Sequence, residues 1–148
     1  MIIADSMLGK LSKYLRMIGY EVEYVSSDKD DSYIISEAKS NLVITRDKAL
    51  HRMIPDSVLV TSYEPLEQLK EVIPYLHKPE NQFLSMCTIC GSKLEKVGDK
   101  KNLPEYVNKD AEEVFHCQKC DRYYWNGTHV QKFKKMMESI GIEIQDRK

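Results

Sequence analysis

The sequence predicts an α/β domain built on a parallel sheet, followed by a small cysteine-held module. Three observations carry that expectation. Strand-like apolar runs and helix-like periodicities alternate four times between Met1 and Leu76. The segment His77-Lys78-Pro79-Glu80-Asn81-Gln82 then breaks the alternation with the composition of a linker. Beyond it, all four cysteines fall between Cys87 and Cys120, as two C-x2-C pairs. Repeated strand–helix alternation implies parallel strands joined by right-handed crossovers, with helices covering the sheet. The expected division is an α/β unit over 1–80 and a cysteine module over 81–148.

The elements follow in order. Met1-Ile2-Ile3-Ala4 is an apolar run that ends in Asp5. Leu8, Leu11, Leu15 and Ile18 then recur at i, i+3, i+7 and i+10, a helical face that Gly19 stops. Glu21-Val22-Glu23-Tyr24-Val25 alternates polar and apolar as a second strand. A polar, acidic loop over Ser26 to Asp31 feeds a helix with Tyr33, Ile34, Ile35 and Ala38 on one side, ended by Ser40-Asn41. Leu42-Val43-Ile44-Thr45 is a β-branched third strand that terminates in Arg46-Asp47. A short helix over Ala49 to Ile54 is stopped by Pro55, and Ser57 to Thr61 forms a fourth strand. The last helix of this unit runs from Glu64 to Leu76, with Pro65 in its tolerant first turn and Pro74 distorting its end.

Composition narrows the function classes. Hydrophobic content of 42% and charged content of 30% describe a soluble chain able to build a core. No apolar stretch approaches the roughly 18 residues that span a membrane. The N-terminus lacks a basic region followed by an apolar one, so the expected location is cytoplasmic, with no membrane partner. The net charge of -1 is unevenly spread. Residues 1–80 carry 10 Lys/Arg against 13 Asp/Glu, and residues 81–148 carry 12 against 10. An acidic front half suits cations, and a mildly basic back half tolerates phosphates.

Cys87-Thr88-Ile89-Cys90 and Cys117-Gln118-Lys119-Cys120 each present two thiolates from a tight turn. Two such pairs complete a tetrahedral site for Zn²⁺ with ligands Cys87, Cys90, Cys117 and Cys120. The other readings are two disulfides, disfavoured without a secretion signal, or a redox pair, which leaves the second C-x2-C unexplained. A closed four-thiolate site holds a fold rather than performs chemistry.

Arg122-Tyr123-Tyr124-Trp125-Asn126-Gly127-Thr128-His129 follows at once. Asn126-Gly127 is a hairpin signal between β-prone residues. Tyr124 and Trp125, with Tyr123, either stack on nucleobases or supply the small core such a module needs. His129 is structural or a further substrate contact. An amphipathic helix over Val130 to Ile140, bearing Lys132, Lys134 and Lys135, closes the chain.

The acids form the second constellation. Asp5 ends the first strand, Asp31 opens the helix after the second, and Asp47 follows the third. In a parallel sheet all three lie at the carboxyl edge, where α/β folds bind ligands. Converging carboxylates repel unless a divalent cation neutralises them, and hard oxygen ligands suit Mg²⁺ or Mn²⁺. Such a centre activates water for in-line attack on a phosphodiester. Asp30, Asp28 and Glu37 are possible extra ligands, and Lys10, Lys13, Arg16 and Arg46 are candidate phosphate clamps. The competing reading is that the acids only cap helices.

These residues resemble a known family. Asp5-Ser6-Met7-Leu8-Gly9-Lys10-Leu11 with Leu15-Arg16-Met17-Ile18-Gly19-Tyr20 is similar to the opening motif of the Mut7-C RNase domain family, a branch of the PIN-like nucleases. Asp30-Asp31 and Leu42-Val43-Ile44-Thr45-Arg46-Asp47 resemble its further acidic motifs, and the cysteine pairs with Tyr124 to His129 resemble its C-terminal zinc ribbon. The resemblance implies a PIN-like parallel sheet flanked by helices, fused to that ribbon. It also implies metal-dependent RNA cleavage by the acids matching Asp5, Asp31 and Asp47, leaving a 5′-phosphate and a 3′-hydroxyl. A fourth acid common in PIN nucleases has no unambiguous counterpart.

The expected function is therefore a metal-dependent ribonuclease, with Asp5, Asp31 and Asp47 catalytic and Asp30 assisting at Mg²⁺ or Mn²⁺. The alternative is a catalytically weak RNA- or ribonucleoprotein-binding module that uses the zinc ribbon. An aspartyl phosphatase would want a D-x-D, but Ser6-Met7 follows Asp5. A receiver domain would want paired acids at its first strand, which are absent from Met1 to Asp5.

Overall fold

The computed structural model describes residues 1–146. Four short strands, β1 (Ile2–Ala4), β2 (Val22–Tyr24), β3 (Leu42–Thr45) and β4 (Val58–Leu59), form a parallel sheet in the order β2-β1-β3-β4. Ile2, Ile3 and Ala4 of β1 pair with Val22, Glu23 and Tyr24 on one side and with Leu42, Val43 and Ile44 on the other. Four helices connect or follow these strands: α1 (Gly9–Ile18), α2 (Asp31–Glu37), α3 (Lys48–Met53) and α4 (Pro65–Val72).

The apolar run of β1 is continuous because both of its faces are covered. Strand alternation sends Ile2 and Ala4 into one core with Leu8, Leu11, Leu15 and Ile18 of the α1 segment and Leu69 and Val72 of α4. Ile3 enters a second core with Val43, Ile34 of α2, and Leu50 and Ile54 around α3. Each fully buried Leu or Ile contributes about 1.5–3 kcal/mol of hydrophobic stabilisation.

Differences from the sequence reading are local. The fourth strand shrinks to Val58–Leu59, the span that pairs with Ile44 and Thr45. The last helix of the unit ends at Val72 and tightens into a 3-10 turn over Ile73–Tyr75, because Pro74 has no N–H to continue the α ladder.

The cysteine module contains an antiparallel sheet of β5 (Glu95–Lys96), β6 (Val114–Cys117) and β7 (Arg122–Trp125) in chain order. Asn126-Gly127 makes no hairpin. Gly127 is instead the N-cap of α5 (Thr128–Ser139). The helical spacing of Val130, Phe133 and Met137 prevails over the local turn signal, because that face returns to the α/β core. Met137 and Ile142 are buried with Leu8 and Leu11, and the Phe133 ring lies 4.9 Å from that of Tyr14. Residues 147 and 148 of the expected 81–148 module lie outside the described residues. Among the described residues no helix is long and apolar enough to cross a membrane.

Candidate functional site

At the carboxyl edge of the parallel sheet, β1 hands Asp5 to the turn before α1. Asp5 is 6% exposed. Its Oδ1 accepts the Met7 amide at 3.0 Å, and its Oδ2 accepts the Arg46 amide at 3.1 Å together with the Thr45 hydroxyl. Asp47 caps α3, its Oδ1 accepting the amides of Ala49 at 2.9 Å and Leu50 at 3.3 Å. Asp30 caps α2 by accepting the amide and hydroxyl of Ser32, and Asp31 lies exposed in the first turn of the same helix. Asp28 accepts from the Ser26 hydroxyl, and Glu37 Oε2 accepts from Asn41 Nδ2 at 3.3 Å.

These placements overturn the expected catalytic cluster. Among the described residues, the group of three or more His, Cys, Asp or Glu side chains whose ligand atoms converge is Cys87, Cys90, Cys117 and Cys120, and it contains no carboxylate. Asp5, Asp31, Asp47 and Asp30 do not assemble a Mg²⁺ or Mn²⁺ centre, and the Asp-cluster ribonuclease reading fails with them. The physical reason lies in the same edge that made the acids look convergent. Helices begin there, and the first amides of α2 and α3 take up Asp30 and Asp47, while the turn amides of Met7 and Arg46 take up Asp5.

The proposed phosphate clamps also divide. Lys10 and Lys13 are exposed on α1. The Arg46 guanidinium lies 4.2 Å from the centroid of the Tyr63 ring, and its Nη2 donates to the Thr61 carbonyl at 3.4 Å. Arg16 is 6% exposed, which removes it from any surface role.

The four-cysteine cluster is built from two matching knuckles. The Gly91 amide donates to the Cys87 carbonyl at 2.9 Å, and the Asp121 amide donates to the Cys117 carbonyl at 2.8 Å. The residue after each second cysteine takes a left-handed conformation, Gly91 at φ 78° and Asp121 at φ 53°. Glycine and aspartate tolerate that region, so each chain reversal is feasible there. All four Sγ atoms lie within 4.8 Å of one another, with Cys90 and Cys117 at 3.5 Å. A Zn–S distance of about 2.3 Å gives tetrahedral S···S edges of about 3.8 Å, so the donor set and its spacing fit a structural zinc ion. The cysteines are free thiols, and Leu94, Phe115 and Tyr124 pack around them.

The cluster is electrostatically uneven. Burial pushes the Cys90 thiol up, but the hydroxyl and amide of Ser92 overcome it and bring the pKa down to about 6. Its hydrogen bond with Cys90, together with desolvation, pushes Cys120 up to about 12. Burial raises Cys117 as well. One thiolate thus forms readily, while Cys117 and Cys120 retain their protons until a cation arrives.

Strand parity sorts the aromatic run of β7. Tyr124 faces inward, its hydroxyl 3.1 Å from Cys87 Sγ and 3.4 Å from Thr88 Oγ1, and burial pushes its pKa up to about 12. It belongs to the ribbon core rather than to a substrate surface. Tyr123 and Trp125 occupy the opposite face. The Tyr123 amide donates to the Tyr106 hydroxyl at 3.2 Å, and the rings of Tyr106 and Trp125 are 6.2 Å apart. Tyr123 also lies 4.5 Å from the His116 ring, and His116 Nε2 is 2.8 Å from Asp121 Oδ1. A cavity of about 380 Å³ opens here, lined by Glu95, Lys96, Val97, Asp99, Asn102, Leu103, His116 and Tyr123. His129 is exposed in the first turn of α5.

Sequence reasoning missed His116, which faces Tyr123 through the pairing of β6 with β7, and Tyr106, which reaches the Tyr123 amide from the segment before β6. Its signal was weak. His116 is the one half-buried residue of β6, just before Cys117, and antiparallel register sets it opposite Tyr123.

Comparison with known proteins gives a family match. The family model described as Mut7-C RNAse domain matches residues 1–137. No curated protein and no solved structure matches significantly.

Proposed function

The chain belongs to the Mut7-C RNAse domain family, a nuclease-domain superfamily with a PIN-like parallel sheet, and from that premise we propose that it acts as an RNA-binding module. In this reading the α/β unit over 1–80 is a rigid support. The module over 81–148, held by Zn²⁺ on its four cysteines, presents the contact surface. The partner is single-stranded RNA.

The observation that carries this reading is the outward aromatic face of the ribbon. The half-buried Tyr123 and Trp125 stand beside an exposed Tyr106, and Tyr123 and His116 border a cavity large enough for a ligand group. Aromatic faces accept any unstacked base, and each stack is worth about 1–3 kcal/mol. Lys96 and Asn102 in the same lining supply a cation for phosphate and an amide for a base edge. Lys93, Lys101, Lys119 and Arg122 are exposed on the same module and add an electrostatic attraction that salt screens.

Fluorescence anisotropy with a labelled single-stranded RNA tests the reading. The zinc-loaded protein binds, and Tyr123→Ala and Trp125→Ala each weaken binding by about 5- to 100-fold. Asp47→Ser, which keeps a capping oxygen at the start of α3, leaves affinity unchanged. Equal affinity in the aromatic variants, with zinc still bound, overturns the assignment of this face. A zinc-loaded protein that binds no RNA overturns the module's role altogether.

A further inference from the structure

Arg16 is an unusual buried residue. It sits in the last turn of α1, yet its guanidinium donates to backbone carbonyls in two other parts of the chain. Nε and Nη2 donate to the Val22 carbonyl on β2 at 3.1 and 2.8 Å. Nη1 donates to the carbonyls of Thr88 at 3.1 Å and Ile89 at 2.8 Å, more than seventy residues away. Thr88 and Ile89 are the two residues between Cys87 and Cys90. The guanidinium therefore grips the first knuckle from outside while its thiols face inward.

Two further features tie Arg16 to the cysteine centre. Gly91, which closes that knuckle, lies flat against the guanidinium: a Cβ there would stand 3.3 Å from Nε and 3.6 Å from the central carbon. Four thiolates around a divalent ion also leave a net charge of about −2, which a nearby fixed cation offsets. Burial lowers the Arg16 pKa, and the charges of Cys90, Cys87 and Cys120 act in the opposite direction. Arginine holds its proton through such a shift and satisfies several carbonyls with one planar fork, which lysine cannot do.

We infer that Arg16 couples zinc occupancy of the ribbon to the folding of the α/β unit, acting as a positioning residue for the metal centre. It orients the Cys87–Cys90 knuckle, offsets the charge of the loaded site, and transmits the knuckle's state to α1 and β2 through the Val22 carbonyl. Linkage is reciprocal, so zinc that tightens the knuckle must protect α1 and β2, and loss of that anchorage must weaken zinc. The RNA-binding reading plays no part in this inference, and neither experiment decides the other.

The test uses the full chain. Zinc affinity is measured by competition with a chromophoric chelator, and amide hydrogen exchange is followed with and without the metal. In the unsubstituted protein, removing zinc raises exchange in the last turn of α1 and in Val22–Tyr24 as well as in the knuckles. Arg16→Met lowers zinc affinity at least 10-fold, and exchange in β2 no longer responds to zinc. Arg16→Lys keeps the charge without the fork, so it recovers part of the affinity but not the response of β2. Leu11→Ala destabilises the same helix and leaves zinc affinity of the folded protein unchanged, which separates coupling from general loss of stability. If β2 exchange in the unsubstituted protein ignores zinc, the inference is overturned without any variant having to fold. It is equally overturned if Arg16→Met or Arg16→Lys binds zinc as tightly as the unsubstituted chain.

Discussion

The amide of Arg46 donates to Asp5 Oδ2 at 3.1 Å, joining the ends of β1 and β3 across 41 residues of chain. The Thr45 hydroxyl donates to the same oxygen, and the Met7 amide takes the other. One buried carboxylate thus serves two backbone amides and a hydroxyl at the edge of the sheet. Asp5→Ala strands all three donors and costs about 3 kcal/mol, because hydrogen bonds to a charged acceptor contribute about 1.5–3 kcal/mol each and relaxation recovers part of the loss. In a chain of this size the melting temperature falls by about 6–12 °C. Asp5→Asn keeps one acceptor oxygen and loses about half as much. Thermal denaturation in zinc-saturated buffer measures both. Addition of millimolar Mn²⁺ leaves the melting temperature of the unsubstituted protein unchanged, because Asp5, Asp30 and Asp47 already accept backbone amides and do not converge on a common site.

The α/β frame was legible because its signal is periodic and redundant. Leu8, Leu11, Leu15 and Ile18 mark one face of α1 regardless of tertiary context, and the apolar run of β1 marks a strand covered on both sides. The cysteine centre was legible for a different reason, since two C-x2-C pairs state their geometry in their spacing. The acids were misread because an aspartate before a helix has the same sequence signature whether it caps or ligates. Only the positions of the amides of Met7, Arg46, Ala49 and Leu50 separate the two uses. Arg16 was misread likewise. Its neighbours Thr88 and Ile89 are remote in sequence, so nothing local distinguishes a buried strut from a surface clamp.

Asp30 supplies a pH-dependent cap. Its carboxyl is held below the usual value of 3.8, first by the Ser32 hydroxyl and then by backbone amides at the start of α2. A depressed folded-state pKa stabilises the folded form above the unfolded value, and that contribution is lost as pH falls through the lowered pKa. The cap is therefore intact at neutral pH, and α2 frays only under acid conditions below the ordinary carboxylate range. Carboxyl-carbon NMR titration checks this. Asp30 titrates at a lower pH than an unstructured aspartate, and Ser32→Ala moves it upward toward that reference. An Asp30 that already titrates at the unstructured value excludes the cap.

Metal binding at the cysteine centre must displace protons. Desolvation raises Cys117, and donating a hydrogen bond to Cys90 raises Cys120 to about 12, so both are protonated in the metal-free cluster near neutrality. Zinc coordinates thiolates, so the apparent affinity rises with pH by about two or more logarithmic units per pH unit between about pH 6 and 8. Calorimetric titration in buffers of different ionisation enthalpy reads the protons released directly. Tyr124→Phe removes the hydroxyl 3.1 Å from Cys87 Sγ and weakens zinc by several-fold without altering that pH slope. A flat affinity profile would mean that the thiols enter the site already ionised.

Gly19 shows how tightly the linker is bound to the first unit. It ends α1 at φ 127°, a region that residues with a Cβ rarely enter. A Cβ at this position would lie 2.2 Å from the Asn81 carbonyl oxygen and 3.0 Å from its carbon. These are backbone atoms, and they are held in place because the Asn81 amide donates to the Gly19 carbonyl at 3.1 Å and the Asn81 side chain donates to it at 3.2 Å. Relief therefore requires the 79–81 segment to detach from α1. Gly19→Ala combines backbone strain of about 1–3 kcal/mol with the loss of those two bonds, for a total of about 3–5 kcal/mol. Chemical denaturation of the variant gives that loss, and hydrogen exchange shows it concentrated at Tyr20 and Asn81 rather than in β3. A variant as stable as the parent would show that the linker yields freely at this point. The close approach of Asn81 to α1 would then contribute nothing to holding the cysteine module against the sheet.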